Sequence, residues 1–154
     1  MSSNQLFEIK RILIPYDFSE TAALSLEHAV FMAKLLKADI YLLHILESVS
    51  FTSAFGAAFG NVDKKLESES NTKLEEIGKQ IHMNNGITVK SITEVGRIYR
   101  KIVDVAKRER VDIIIMGTHG VSGYKKFNVG TNTSKVVEEA GCPVISVQTH
   151  SKKI

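Results

Sequence analysis

The sequence has a single cysteine, Cys142, among its 154 residues, so it cannot form an internal disulfide bond. Disulfide bonds are typical of oxidising compartments, and the cysteine content therefore gives no indication of secretion. No apolar run approaches the ~18 residues that a membrane-spanning helix requires. Residues 1–10 also lack the continuous apolar core of a signal peptide. We therefore expect a cytoplasmic protein without a membrane partner.

Charge of one sign is not concentrated in any segment. The chain has 20 Lys and Arg against 17 Asp and Glu, which gives a formal net charge of +3. Nucleic-acid-binding domains typically carry a basic stripe or arm, and the mixed pattern here predicts no nucleic-acid partner. The histidines form no His/Asp/Glu cluster with the spacing of a metal site, so we assign no metal ligand.

Short apolar runs are present, and they predict the strands of a buried sheet. The runs at residues 11–15, 39–46 and 111–116 are typical of parallel strands buried on both faces, and the run at residues 144–147 is predicted to be the last strand. Residues 87–93 alternate between apolar and polar side chains and predict an edge strand with one wetter face.

Segments with helical periodicity separate these strands. The first helix is predicted to begin after the N-cap residue Ser19 and to run to about Lys37. Further helices are predicted around residues 62–81, 98–106 and 131–140. The inward-facing residues of the last helix are predicted to be Val136, Val137 and Ala140. Alternating strands and helices predict one three-layer α/β domain, with helices on both faces of a five-stranded parallel sheet.

The segment from Phe51 to Gly60 has no clear period, and we interpret it as a loop. Its three phenylalanines are unusual for a solvated loop. They either pack over the strand ends as a lid, cover the surface of an unidentified protein partner, or belong to a loose loop with partly buried rings.

The carboxyl ends of the strands are the predicted ligand site. Open parallel sheets bind ligands there, where the strand order reverses. With the order 3-2-1-4-5, the first and fourth strands are neighbours at that point, so Asp17 and Gly117 would face one crevice. Asp17 would be a ligand-binding carboxylate, or alternatively a turn or cap residue beside Ser19.

A glycine pattern follows the fourth strand: Gly117-x-x-Gly120, then nine residues, then Gly130-Thr131. Glycines allow the backbone to approach phosphate oxygens and to adopt positive φ. A helix beginning at Thr131 would also offer free N–H groups to an anion. The alternative is that these glycines only form turns. The Walker-type and Gly-x-Gly-x-x-Gly phosphate loops are both absent, which disfavours the enzymes that use them.

These segments resemble the universal stress protein family over nearly the whole chain. The resemblance rests on the apolar strand and Pro-x-Asp of residues 12–19, on residues 42–45, on residues 112–120, and on residues 142–145. The ATP-binding branch of that family has Gly-x-x-Gly-x9-Gly-Ser/Thr, which this chain matches with threonine where serine is commoner. The resemblance implies the adenine-nucleotide alpha hydrolase-like fold.

The resemblance also implies roles for individual residues. Asp17 would hydrogen-bond ribose hydroxyls or help to hold a metal such as Mg²⁺. The backbone of Ile45 would recognise the edge of the adenine base. Pro15 and Met116 would lie near the base and sugar, and the glycines and Thr131 would hold the phosphates. The full set of expected nucleotide-binding residues is Pro15, Tyr16, Asp17, Ile45, Met116, Gly117, His119, Gly120, Gly130, Thr131 and Asn132.

Three functions fit this pattern. The first is a dimeric stress-response module that binds ATP as a signal. The shape of the ATP-bound form would then be recognised by a protein partner. The second is a slow ATP hydrolase or phosphotransferase, for which Asp17 and His119 are the only nearby groups and no catalytic residue is assigned. The third is a dimeric adaptor that binds AMP, cyclic AMP or no nucleotide. The family often dimerises through its last strand, here Val144 to Val147, and exposed apolar sheet edges tend to pair.

Overall fold

The computed structural model describes residues 7–47, 56–118 and 130–148, with the backbone alone for residues 56–63. Strands and helices alternate along the chain. They are β1 (Arg11–Pro15), α1 (Glu20–Leu36), β2 (Asp39–Leu46), α2 (Gly56–Asn85), β3 (Val89–Val95), α3 (Ile98–Arg108), β4 (Ile113–Gly117), α4 (Thr131–Glu139) and β5 (Val144–Val147).

The five strands form one parallel sheet in the predicted order, β3-β2-β1-β4-β5. Strand β1 lies at its centre and pairs with β4 through Ile12 and Leu13, which align with Ile113 and Ile114. The carboxyl ends of β1 and β4 are therefore adjacent. This is the point at which the strand order reverses, and it is where the α/β class of fold places its ligands.

The core consists of two apolar layers, one on each face of the sheet. Ile12 and Ile14 of β1 point into the layer covered by α1 and α2. Leu13 lies between them in sequence and points into the layer covered by α3 and α4. All three side chains are fully buried. Burial on both faces explains why the central strands are continuous apolar runs rather than alternating ones.

Helix α1 begins and ends with the local chemistry that its sequence predicts. Ser19 is the N-cap, and its hydroxyl oxygen accepts a hydrogen bond from the N–H of Ala22 at 3.1 Å. Lys37 adopts the left-handed conformation at the C-cap, and its N–H donates to the carbonyl of Ala33. These bonds satisfy backbone groups that a helix end would otherwise leave unpaired.

The predicted loop from Phe51 to Gly60 is wrong in its second half. Helix α2 begins at Gly56 and continues to Asn85, whereas residues 51–55 lie outside the residues that the structure describes. Ala57 and Ala58 are strong helix formers, and extending an existing helix adds one hydrogen bond for each residue fixed. A few apolar residues without a helical period therefore did not prevent the helix from starting early.

Three further predictions differ from the structure. Strand β4 occupies Ile113–Gly117 rather than residues 111–116, because the N–H of Val111 still donates to the carbonyl of Ala106 in α3. Strand β3 occupies Val89–Val95 rather than residues 87–93, because it follows the register of β2, where Leu46 aligns with Val95. Val137 was predicted to face inward, but it is 57% exposed. Val136 and Ala140 are both buried and lie four residues apart, so they share one face of the helix. Successive helical residues are about 100° apart, so Val137 points away from that face.

No helix in the described ranges is both long and apolar enough to cross a membrane.

A charged network joins the edge strand β3 to α3. The Glu94 carboxylate lies 2.9 Å from Arg108 and 3.2 Å from Lys101. Partial burial acts to raise the pKa of Glu94, but hydrogen bonds from Arg108 and Lys101 outweigh it and hold that pKa below its ordinary value. Such a group stabilises the fold above its unfolded-state pKa, and the contribution is lost as the pH falls through the folded-state pKa.

We therefore expect Glu94→Gln to lower the free energy of unfolding by about 1 kcal/mol at pH 7. The difference from wild type should shrink as the pH falls below about 4.3, the ordinary pKa of a glutamate. Urea unfolding at several pH values measures this. Glu76 is an exposed residue of α2 that has no ion pair within the described part of the chain, so Glu76→Gln should have no effect. A constant difference at all pH values would contradict the electrostatic explanation.

Candidate functional site

A cavity of about 340 Å³ opens at the carboxyl edge of the sheet. Its walls come from the ends of β1, β2 and β4 and from the first turns of α1, α3 and α4. Most of the residues expected at a nucleotide site line this one cavity. They are Pro15, Tyr16, Asp17, Ile45, Met116, Gly117, Gly130, Thr131 and Asn132. His119 and Gly120 lie outside the described residues.

One side of the cavity is apolar. Leu43 of β2 and Met116 of β4 are buried, and they line the cavity together with Ile98 and Ile102 of α3. These four side chains form an apolar slot, which suits a flat aromatic ligand. The sequence indicates Ile98 and Ile102 only as inward-facing helix residues, because the pattern of a core residue and that of a cavity wall are the same.

Asp17 follows β1 and lines the cavity. Its Oδ1 accepts two hydrogen bonds from Ser19, one from the backbone N–H at 3.1 Å and one from the hydroxyl at 2.5 Å. The turn-or-cap alternative for Asp17 is therefore present in the structure. It coexists with a place in the cavity wall, so the two interpretations do not compete. Ser19 also lines the cavity, and sequence reasoning assigned it only to the helix cap.

The aromatic residues around Asp17 fix the end of β1. The ring of Phe18 packs against Tyr16 at 5.2 Å and against His44 at 4.9 Å between ring centroids. The carbonyl oxygen of Tyr16 accepts a hydrogen bond of 2.8 Å from His44 Nδ1. Burial and the neighbouring Asp17 charge both raise the pKa of Tyr16, so its phenol stays neutral at physiological pH.

Hydrogen bonds join the end of β4 to the start of α4. The N–H of Gly130 donates to the carbonyl of Thr118 at 3.0 Å, and the N–H of Thr118 donates to the carbonyl of Val147 at the end of β5. The Thr133 hydroxyl donates to the carbonyl of Gly117 at 3.1 Å. The first turn of α4 is therefore held in a fixed position against β4 and β5.

Two of the glycines do not have the positive φ that was predicted as one reason for them. Gly117 and Gly130 do not have positive φ. A Cβ atom at Gly117 would lie 2.5 Å from Thr21 Cγ2, and one at Gly130 would overlap the carbonyl oxygen of Thr118. Both positions therefore require glycine because of close packing within the protein, and the expectation of left-handed backbone is wrong at these two residues.

The N-terminus of α4 points at the cavity without a side-chain cap. Gly130 is the N-cap and has no side chain to accept a hydrogen bond, no other side chain in the described ranges is bonded to the first turn, and that turn contains no acidic residue. Thr131 and Asn132, the first two helical residues, line the cavity. Uncapped N–H groups and the positive end of the helix dipole favour an anion at this place.

A family model described as the universal stress protein family matches residues 8–148. The chain belongs to the universal stress protein family. The resemblance expected from the motifs at residues 12–19 and 112–120 is thereby confirmed.

Universal stress protein MJ0577 of Methanocaldococcus jannaschii is 35% identical to this chain, over 90% of this chain and 94% of that protein. The solved structure of MJ0577 superimposes on 94% of this chain and 99% of its own chain, with a TM-score of 0.83. The agreement extends over nearly the full length of both chains.

Two more distant universal stress proteins have been solved with bound nucleotides. One is in complex with cAMP, at 15% identity and a TM-score of 0.67, with 93% of this chain and 99% of that chain covered. The other, from Archaeoglobus fulgidus, is in complex with dAMP, at 19% identity and a TM-score of 0.57, with 92% and 99% covered. At these identities the likeness shows the shared fold.

Proposed function

We propose that this universal stress protein binds an adenine nucleotide, with ATP preferred, and that it acts as a dimeric regulatory module. The observation that carries the proposal is the uncapped N-terminus of α4, which shares one cavity with an apolar slot and with Asp17. These are the three surfaces that a nucleotide needs: an anion site, a place for a planar base and an acceptor for ribose hydroxyls.

The residues present fit each part of the ligand. The base would lie in the apolar slot beside Ile45 and Met116, and the ribose hydroxyls would donate to the Asp17 carboxylate. The phosphates would accept hydrogen bonds from the start of α4 at Thr131. The cavity volume of about 340 Å³ lies within the range of small-molecule sites, about 300–1,000 Å³.

The metal requirement of such a ligand can be met with few protein groups. The described residues contain no group of three or more His, Cys, Asp or Glu that could hold a metal ion by themselves. Mg²⁺ usually keeps several waters and binds phosphate oxygens with one or two carboxylates. Asp17 is the carboxylate among the cavity-lining residues and would serve in that role.

The nucleotide complexes of the two relatives support an adenine nucleotide as the ligand. The N-terminus of α4 supports the choice of a triphosphate. The complexes with cAMP and dAMP both contain an adenine nucleotide with one phosphate. The uncapped turn at Gly130 and Thr131 favours a ligand with more negative charge, because the interaction with a helix N-terminus is electrostatic.

Isothermal titration calorimetry with ATP, ADP, AMP and cAMP, with magnesium present, tests this proposal. We expect ATP to bind most tightly and the affinity to fall as phosphates are removed. The absence of measurable ATP binding would count against the proposed function. Equal affinities for ATP and AMP would contradict the phosphate contact at α4 while leaving adenine binding in place.

Asp17→Asn keeps the shape of the side chain and removes its charge, and we expect it to weaken ATP binding about tenfold. A hydrogen bond to a charged group is worth about 1.5–3 kcal/mol, and 1.4 kcal/mol corresponds to a factor of ten in affinity. Glu20→Gln is the matched control, because Glu20 is an exposed carboxylate in the first turn of α1 that does not line the cavity. A similar loss in both variants would indicate a general charge effect rather than a ribose contact.

Homodimerisation belongs to the same proposal. Strand β5 is at one end of the sheet order, and its Ile145 side chain is 37% exposed. An apolar edge strand is a surface on which a second copy can extend the sheet. The end of β5 is also bonded to Thr118, which contacts the start of α4. Backbone hydrogen bonds therefore connect the proposed dimer surface on β5 to the part of the cavity wall at the start of α4.

A further inference from the structure

The turn of residues 17–19 contains a serine with two hydrogen-bonding partners. The Ser19 hydroxyl donates to Asp17 Oδ1 at 2.5 Å, and its oxygen accepts the N–H of Ala22 at 3.1 Å. The backbone N–H of Ser19 also donates to Asp17 Oδ1. One side chain thus joins the carboxylate in the cavity wall to the first turn of α1.

The residue enclosed by this turn has an unfavourable backbone conformation. Phe18 has a φ of 63°, which is rare for a bulky side chain, and 40% of its surface is exposed. Such a conformation persists only where surrounding interactions fix it. Here they are the ring contacts with Tyr16 and His44 and the Ser19–Asp17 hydrogen bonds. The geometry of Asp17 is therefore set by the turn as a whole.

We propose that Ser19 is a positioning residue for nucleotide binding, acting through Asp17. Its hydroxyl holds the Asp17 carboxylate in the orientation that meets the ribose hydroxyls, and thereby sets the preference of the site for ribose over deoxygenated sugars. The inference rests on the proposed function. It adds that ribose selectivity depends on Ser19, a residue that bonds the carboxylate directly.

The chemistry of the hydroxyl explains why serine suits this position. The hydroxyl donates to Asp17 and accepts from Ala22 at the same time, which alanine cannot do. Glycine is nearly as good a helix N-cap as serine, but it lacks the hydroxyl. Threonine retains both hydrogen bonds. These three substitutions therefore separate the positioning of Asp17 from the capping of α1.

The experiment measures the affinities of the full-length protein for ATP and for 2′,3′-dideoxy-ATP by calorimetry without magnesium, so that a contact between Asp17 and a metal ion does not contribute. We expect Ser19→Ala and Ser19→Gly to weaken ATP binding about 5- to 10-fold and to leave dideoxy-ATP binding unchanged. Ser19→Thr should restore the wild-type preference for ATP. In an Asp17→Asn background, Ser19→Ala should cause no further loss, because the two residues act as one unit.

Ser25→Ala controls for a general weakening of α1. Ser25 is fully buried on the same helix, its hydroxyl donates to the carbonyl of Thr21, and it does not line the cavity. It should leave both affinities unchanged. Ser19 variants that bind ATP as tightly as wild type, or that lose ATP and dideoxy-ATP affinity equally, would overturn the positioning role. A wild-type protein that binds neither nucleotide would instead refute the proposed function on which the inference rests.

Discussion

Gly130→Ala is expected to lower the affinity for ATP by about 10- to 100-fold, because a hydrogen bond to a charged group is worth about 1.5–3 kcal/mol and 1.4 kcal/mol corresponds to a factor of ten. A Cβ atom at residue 130 would overlap the carbonyl oxygen of Thr118, to which the N–H of Gly130 donates. The methyl group and this hydrogen bond cannot both be accommodated. The first turn of α4 must therefore move, and it carries the N–H groups proposed to hold the phosphates. Calorimetry with ATP and with adenosine measures the effect.

The substitution should act on the phosphates rather than on the whole ligand. Adenosine has no phosphate, so its affinity should change little in Gly130→Ala. The same variant should lose about 1–3 kcal/mol of unfolding free energy through overpacking, and a control must separate the two effects. Gly141→Ala serves this purpose. Gly141 has a φ of 70° with open space around the Cβ position, so alanine there strains the backbone without altering the cavity. Unchanged ATP affinity in Gly130→Ala would contradict the phosphate contact at α4.

The sheet could be predicted from the sequence because its central strands are buried on both faces. Strands β1, β2 and β5 begin and end at the predicted residues. For the first two, the apolar runs are bounded by turn and helix signals such as Pro15 and Ser19, so local and tertiary preferences agree. The partly exposed β3 carries a weaker signal, and its bounds depend on the register with β2 rather than on its own residues.

Helix α2 and Val137 show where local patterns are insufficient. The start of α2 at Gly56 is not marked by a periodic apolar stripe, so the sequence gives no sign of where the helix begins. Val137 lies beside the buried Val136, and apolarity alone does not tell which of two adjacent valines faces the core. Tertiary packing decides the orientation of Val137, whereas the early start of α2 follows from helix extension through good helix formers.

The location of the site could be predicted from the sequence, but the contacts between its residues could not. The rule that ligands lie at the strand-order reversal brings Asp17 and Gly117 to one cavity, as the structure has them. The hydroxyl of Ser19 could not be assigned to Asp17 from spacing, because a serine before a helix is first of all a cap. The close packing at Gly117 and Gly130 could not be predicted either, because it depends on the positions of Thr21 and Thr118 in the folded protein.

Ile145→Lys is expected to convert the proposed dimer into a monomer, raising the dimer dissociation constant at least about 100-fold. Ile145 is an apolar, partly exposed residue of the edge strand β5. A two-fold axis brings each interface residue into the contact twice, so two ammonium groups would be introduced together. Burying each unpaired charge costs several kcal/mol, and a factor of 100 corresponds to only about 2.7 kcal/mol. Light scattering at micromolar concentration should change from the mass of two 17.1 kDa chains to that of one.

The opposite edge of the sheet provides the matched control. Val95 ends β3, the strand at the other end of the order, and is 43% exposed, close to the 37% of Ile145. Val95→Lys adds the same charge to an edge valine and should leave the dimer intact. If Val95→Lys dissociates the dimer and Ile145→Lys does not, the copies pair through β3 instead. A monomeric wild-type protein would remove the dimer from the proposed function. The nucleotide-binding part of the proposal would stand, because the described residues of one chain already form a cavity with the expected side chains.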